Sequence, residues 1–327
     1  MTELTSKGFL VRSPSMNDLE AVHKLLEVCD IAEFGEPDIT LDELRTMWQS
    51  PTFNLETDAW MVLAPDSLLV GYADMRQREH VHIFADVRVL PEYANRGIWE
   101  HLLHLAEQWA LSQIPQARPG ARVTLNSFTS SRNEEAQRLF EKEEFKEIRR
   151  HWHMEIDMQE SPPAPEWPEH ITVRTFVQGP DERLVFNTDE EAFKDHWGYL
   201  PGNFDVWKHW TIEREDFDPT LWFLAFDGDQ IAGISLCNYS GEDGWVDTLA
   251  VLRPWRRKGM GMALLLHSFG EFYRRGKHKV GLGVDSQNLT GATRLYERAG
   301  MHVARVYISY EKELRAGIEL STQTIEA

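Results

Sequence analysis

The segment Arg256-Arg257-Lys258-Gly259-Met260-Gly261 sets two glycines behind a run of three cations, between an apolar strand-like run and an amphipathic helix. That order suits an anion. The first N–H groups of a helix have no partner within it, and the helix dipole favours negative charge there. Gly259 and Gly261 remove the side chains that would hold a ligand off the backbone, while Arg256, Arg257 and Lys258 supply compensating charge. A pyrophosphate fits such a loop. A solvated basic turn before a helix has the same appearance, so the neighbouring residues must decide.

Those neighbours are Leu249-Ala250-Val251 on the upstream strand and, downstream, Asn288, Ala292, Tyr296 and Gly300-Met301 at four-residue spacing. Together with the loop they resemble the signature of the GCN5-related N-acetyltransferase (GNAT) family over roughly Trp245 to Tyr310. The resemblance implies a mixed sheet with flanking helices, whose fourth and fifth strands splay apart around acetyl-CoA as co-substrate. It implies that the backbone of the Leu249-Ala250-Val251 run pairs with the pantetheine arm and that the loop from Arg256 to Met262 wraps the pyrophosphate. Asn288 would touch the arm from the other side, and Tyr296 would donate a proton to the departing thiolate. An aromatic on a buried helix face is the other account of Tyr296. For the base, the family's frequent use of a fourth-strand carboxylate points to Asp247, which simple alternation places on one face with Trp245, Leu249 and Val251. A solvated or ion-paired strand aspartate is the alternative.

Around these residues the order of elements repeats. Residues 1–160 read as strand, two helices, three β-rich runs, a helix after Gly97, a strand, a helix at Glu134 to Glu143 and a last strand from Phe145 to Met158. Four prolines in 161–168 mark a stiff extended linker. The plan returns over 169–320, where Met262, Leu265, Leu266, Phe269 and Tyr273 form the apolar stripe of the helix behind the loop, and 321–327 reads as a frayed tail. The expected fold is therefore α/β, with an α+β mixed sheet in each of two tandem GNAT-like acyl-CoA N-acyltransferase domains.

Superposing the repeats without gaps from Val89 and Val251 pairs Gly97 with Gly259, but Ala94 then stands at Arg256 and Trp99 at Gly261, and aligning Ala136 with Ala292 puts Arg132 at Asn288, Phe140 at Tyr296 and Glu144 at Gly300. An indole at Trp99 would occupy the place where a pyrophosphate approaches. The first domain is expected to keep the fold without the catalysis. The tandem plan is similar to that of the mycothiol synthases within the family, which carry a fourth-strand glutamate where this chain has Trp245.

The formal charge of −19 disfavours nucleic acid and anionic membrane as partners and suits an amine. Cys29 and Cys237, one in each half, build no disulfide framework, and no run reaches the ~20 apolar residues of a membrane span, so a cytoplasmic location is expected. Between Asp195 and Trp210, the rings of Trp197, Tyr199, Phe204, Trp207 and Trp210 either line an acceptor pocket, with Asp195 or Glu191 holding a cation, or pack between domains. His80/His82 and His151/His153 each share a strand face, but lack the companion ligands of a metal site, and no metal is expected. The expected activity is transfer of acetyl from acetyl-CoA to a primary amine of a small molecule by direct attack in the C-terminal domain. The alternatives are a non-catalytic acyl-CoA-binding or regulatory module and a mycothiol-synthase-like acetyltransferase. The acceptor, the acyl length and the oligomeric state are left open.

Overall fold

A computed structural model of the chain describes residue 4, residues 7–288 and residues 290–323. It divides into two compact units, Met1–Arg149 with Tyr307–Leu320, and Arg150–Val306 with Ser321–Ala327. In the first unit β1 (Leu10–Arg12), β2 (Ala59–Leu63), β3 (Leu69–Arg78), β4 (His82–Val89) and β5 (Val123–Ser130) follow one another across the sheet, and β12 (His302–Arg315) closes it against β5. Its helices are α1 (Leu19–Phe34), α2 (Leu41–Trp48), α3 (Ile98–Gln113) and α4 (Glu134–Lys142). Local sequence sets their ends. Thr40 and Glu43 form a reciprocal cap at α2, at 3.2 and 2.9 Å, and Asn133 caps α4.

The second unit has the same plan. β7 (Ile171–Thr175), β8 (Trp222–Asp227), β9 (Gln230–Ser240) and β10 (Asp243–Val251) run antiparallel, β11 (Lys279–Asp285) joins β10 in parallel, and β6 (Lys146–Asp157) closes the sheet against β11. The helices are α5 (Glu182–Phe193), α6 (Phe204–Thr211), α7 (Met260–Arg274) and α8 (Ala292–Arg298). Each unit is thus a mixed α/β sheet with flanking helices, as the sequence predicts.

The change of unit falls inside strands, at Arg149/Arg150 in β6 and Val306/Tyr307 in β12, and not at the prolines. The final strand of each sequence repeat therefore completes the sheet of the other unit. Residues 161–168 form neither helix nor strand, yet lie within the second unit, where Trp167 packs edge-on against His267 at 5.7 Å. A boundary inside a continuous strand leaves no mark in composition, whereas four prolines leave a strong one.

Two apolar layers sandwich the second sheet. On one face Leu264, Leu265, Phe269 and Phe272 of α7 pack with Val246, Val280 and Leu282. On the other, Val185 and Ala192 of α5 pack with Trp222, Leu224, Ile234, Leu236 and Ala250. Each fully buried phenylalanine or leucine contributes ~1.5–3 kcal/mol. The buried stripe of α7 is rotated from the expected one: Met260, Ala263, Leu264, Ser268 and Phe272 join Leu265 and Phe269, while Met262, Leu266 and Tyr273 are only half-buried. The helix turns toward the small residues Gly233 and Gly244, where a Cβ would lie 3.1 Å from Leu264 and 2.7 Å from Phe272.

Candidate acyl-CoA site

In the second unit β10 pairs with β11 at only two positions, Gly244↔Val280 and Trp245↔Gly281. Beyond them β11 stays on β6 as far as Asp285↔His151, and β10 stays on β9 as far as Val251↔Gly233. The two strands part, and from Asp247 onward the β11-facing edge of β10 is left without a β11 partner. An edge of this kind is a template for an extended amide-bearing chain.

The register of β10 on β9 slips between Val246 and Thr248, so Asp247 is the extra residue of a β-bulge. The slip changes which side chains share a face. Val246, Leu249 and Val251 pack toward α7, whereas Ala250 packs toward α5. Trp245 turns across β11, its indole 2.6 Å from where a Cβ of Gly281 would sit and edge-on to His153 at 4.8 Å. The alternation predicted for Trp245, Asp247, Leu249 and Val251 is thus broken at Asp247 itself, because one inserted residue inverts a period of two.

Asp247 is exposed and lies within electrostatic reach of Asp189 on α5, a residue that sequence reasoning passed over. Burial, then the negative charges of Glu190 and Asp247, push the Asp189 carboxyl up to about 7, against the pull of a hydrogen bond from the Trp207 side chain. Asp189 was findable. It follows Val185 by four residues and precedes Ala192 by three, a lone carboxylate on an otherwise apolar helical stripe.

Gly259 caps α7 at φ +87°, a left-handed conformation that suits glycine, and Gly261 leaves the first turn open, with Leu295 Cδ1 3.0 Å from a notional Cβ. The three loop cations divide their roles. Arg256 donates to the Val251 carbonyl at 2.9 Å and the Ala192 carbonyl at 3.1 Å, and meets Asp195 at 3.4 Å. It braces the loop. Arg257 and Lys258 are exposed and make no hydrogen bond or ion pair among the described residues. Arg253 grips Asp195 through Nε at 3.0 Å and Nη2 at 2.5 Å, and these contacts hold the Asp195 carboxyl below the usual carboxylate range. Asp195 is therefore engaged by two cations of the loop region, Arg253 and Arg256. Glu191 pairs with Lys194 at 2.5 Å.

Tyr296 is 8% exposed, packed in the α7-side core, and burial pushes its phenol up to about 12, so it stays protonated at neutral pH. Its hydroxyl makes no hydrogen bond among the described residues. Asn288 turns its carboxamide oxygen to the Thr290 N–H at 2.8 Å and the Thr290 hydroxyl at 2.5 Å. Of the aromatic stretch, Trp207 is the ring tied to Asp189. Trp197 donates to Gln323 at 3.0 Å, and Tyr199 to Glu190 at 2.9 Å. His80 faces Gln113, His82 faces Glu319, and His153 pairs with Glu155 at 3.1 Å.

The first unit repeats the splay and fills it. β4 and β5 pair from His82↔Thr124 to Phe84↔Asn126 and then part. Glu33 of α1 spans the gap, accepting the Ser130 N–H at 2.6 Å and the Thr129 hydroxyl at 2.8 Å on β5, and Arg88 Nη1 at 3.2 Å on β4. Arg88 also binds Asp86 at 2.8 Å and lies 5.3 Å from the Phe128 ring. Trp99 is buried edge-on against Phe140 at 5.0 Å, and Phe140 stacks on Tyr310 at 4.9 Å. The Ser130 N–H that faces the gap from β5 thus already has a partner, and the Glu33 carboxylate and Arg88 guanidinium stand between the two strands.

The family model for the acetyltransferase (GNAT) family matches residues 19–145 and 184–301. A crystal structure of a GCN5-related N-acetyltransferase from Sphaerobacter thermophilus is 38% identical, with a TM-score of 0.82, over 96% of this chain and 98% of that one. A mycothiol acetyltransferase of Geodermatophilus obscurus is 29% identical over 309 residues, 89% of this chain and 93% of the relative. One of Thermobispora bispora is 32% identical over 175 residues, 49% of this chain and only 56% of the relative. A tandem GNAT protein from the clavulanic acid biosynthesis pathway shares the fold at 13% identity, with a TM-score of 0.73 over 95% of this chain. With the family pattern matched once in each sequence repeat, and matched relatives along almost its whole length, the chain is an acyltransferase that belongs to the acetyltransferase (GNAT) family.

Proposed function

We propose that the chain transfers acetyl from acetyl-CoA to a primary amine of a small molecule, and that the transfer takes place in the second unit. The observation that carries this reading is the contrast between the two splays. The β10 edge from Asp247 to Val251 adjoins a glycine-bearing loop with two uncommitted cations, whereas the corresponding gap of the first unit is bridged by Glu33 and Arg88. Acetyl-CoA would run its pantetheine arm along Leu249-Ala250-Val251 and place its pyrophosphate at the α7 N-terminus, under Arg257 and Lys258.

The amine loses a proton toward Asp247 or a water and attacks the thioester carbonyl. A backbone N–H near Leu249 stabilises the oxyanion, and Tyr296 protonates the departing thiolate. A binding module would need the loop but neither Tyr296 nor a carboxylate near the acceptor. The mycothiol acetyltransferases among the relatives favour, as a second reading, an amine of the mycothiol type.

Coenzyme A release measured against a panel of amines tests the reading, and absence of turnover with every amine would leave the binding module. Calorimetric titration of acetyl-CoA is expected to show one site per chain; two sites would contradict the blocked first unit. Asp195→Asn, which loosens Arg253 and Arg256, is expected to weaken acetyl-CoA binding about tenfold, ~1.4 kcal/mol, with little change in saturated turnover. An unaltered Kd would mean that the loop holds its shape without this tether.

A further inference from the structure

Gly281 and Gly283 stand inside β11 on the face turned away from α7, since Val280, Leu282 and Val284 pack toward that helix. A glycine within a strand marks a place where something else comes close to the backbone. At Gly281 that something is the protein itself: a Cβ there would lie 2.6 Å from the Trp245 ring and 3.0 Å from His153 Nε2, and the two rings meet edge-on at 4.8 Å. Gly283 has no such visitor. It is exposed, and a Cβ on it would meet nothing within 4 Å. Trp245↔Gly281 is the last rung between β10 and β11, and the same register carried two residues further sets Gly283 level with Asp247, where the free edge of β10 begins. On its other side Gly283 is paired with His153 of β6. Only bare backbone therefore separates the His153 side chain from the opening of the splay.

The His153 ring is held at one nitrogen and spare at the other. Nε2 lies 3.1 Å from Oε1 of Glu155, which shares the face and is buried, and Lys279 Nζ lies 3.3 Å from the second oxygen of that carboxylate. The bond with His153, and after it the charge of Lys279, hold the Glu155 carboxyl at about 2 against its burial, so it is ionised at neutral pH. An ionised carboxylate at Nε2 keeps the imidazole proton there and leaves the lone pair on Nδ1, the logic by which a carboxylate orients a histidine base. Nδ1 has no partner among the described residues, and 13% of the side chain is exposed.

We propose that His153 takes the proton of the acceptor amine, directly or through one water, with Glu155 as its positioning residue and the acceptor seated over Gly283. The inference rests on the acetyltransfer reading above and gives its water route an end point. The ionisable groups around His153 are His151 and Glu155 on β6 and Lys279 and Asp285 on β11, while β10 brings the neutral Trp245 against the ring and Asp243 to Lys279 at 3.5 Å. The protons balance as follows. The bound ammonium gives one to His153, which passes it to solvent. The free amine forms its C–N bond to the thioester carbon and loses its second proton to His153 as the C–S bond breaks. The Tyr296 hydroxyl protonates the thiolate and is reprotonated from solvent. The products are an N-substituted acetamide, free coenzyme A and one net proton.

His153→Gln keeps a polar side chain of similar reach, and thermal melting checks that it folds. With the best-acetylated member of a panel of ethanolamine, glucosamine, putrescine and spermidine, wild-type kcat/KM is expected to rise with pH through the range in which imidazoles titrate. In His153→Gln it should fall ~10²-fold or more and lose that rise, with the Kd for acetyl-CoA unchanged. Glu155→Gln should move the rise to lower pH, because the imidazolium loses its negative partner; a merely structural role for Glu155 would leave the profile in place. Gly283→Val, which suits a strand and meets no neighbour, should raise KM for the amine ~10-fold or more and leave acetyl-CoA binding as it is. Retained kcat/KM and pH profile in His153→Gln would overturn the role of His153, and an unchanged KM in Gly283→Val would overturn the seat. Failure of the wild-type protein to release coenzyme A with any amine would overturn the acetyltransfer reading. The seat is read separately, without turnover: the His153 ring signals in 1H–13C NMR, assigned by their loss in His153→Gln, should shift when the amine is titrated into the protein loaded with coenzyme A. Signals that stay unmoved would overturn the inference whatever the turnover.

Discussion

Tyr296→Phe is expected to lower kcat by ~10²–10⁴-fold, the usual cost of removing one proton-transfer group. The Kd for acetyl-CoA and the melting temperature should hardly move. The separation of these effects follows from the surroundings of the ring. Its body is packed with Leu264, Val284 and Met301, and phenylalanine reproduces that packing. Its hydroxyl makes no hydrogen bond among the described residues, so deleting it breaks none. What is lost is a proton kept in place by burial, which holds the phenol at about 12 and so fully protonated at the pH of the reaction. The leaving thiolate would then have to take its proton from water. Rapid-quench measurement of coenzyme A release at saturating amine checks this, and undiminished turnover would remove Tyr296 from the mechanism.

Some of the site was open to reading in the sequence because it is written in local patterns. Glycines at fixed spacing before a helix, an apolar strand run ahead of them, and a repeat of element order are all properties of contiguous residues. The bulge at Asp247 is not such a property. Nothing in Trp245-Val246-Asp247-Thr248-Leu249 marks an inserted residue, and alternation read across it assigns Leu249 and Val251 to the wrong neighbour set. The same limit applies to charges. The sequence presents Arg256 as a ligand for phosphate and Asp195 as a ligand for a cation, but their separation of 61 residues hides that they meet and brace each other. Glu33 shows the converse. It reads as one more acid on a solvated helix, and only the parting of β4 from β5 reveals that it stands in the gap. The exchange of β6 and β12 was equally invisible, since a strand carries the same apolar signature whichever sheet it completes.

Gly261→Trp is expected to weaken acetyl-CoA binding by more than ~10²-fold, above ~2.7 kcal/mol, while the protein still melts cooperatively. The chain itself contains the precedent. At the corresponding position of the first repeat, Trp99 is 7% exposed in the first turn of α3, packed edge-on against Phe140, the counterpart of Tyr296. The scaffold therefore accommodates an indole there, packed toward Phe140. In the second unit a Cβ at 261 meets the end of the Leu295 side chain at 3.0 Å, which can turn aside, and Val251 Cγ2 at an ordinary 3.9 Å. Gly261→Ala should therefore bind the cofactor much as the glycine does, and the loss should track the bulk of the ring and not the presence of a side chain. Calorimetry on the two variants separates these outcomes. If the tryptophan variant bound acetyl-CoA normally, the cofactor would not pass over the α7 N-terminus, and the reason for proposing that the first unit does not bind it would reduce to the Glu33 bridge alone.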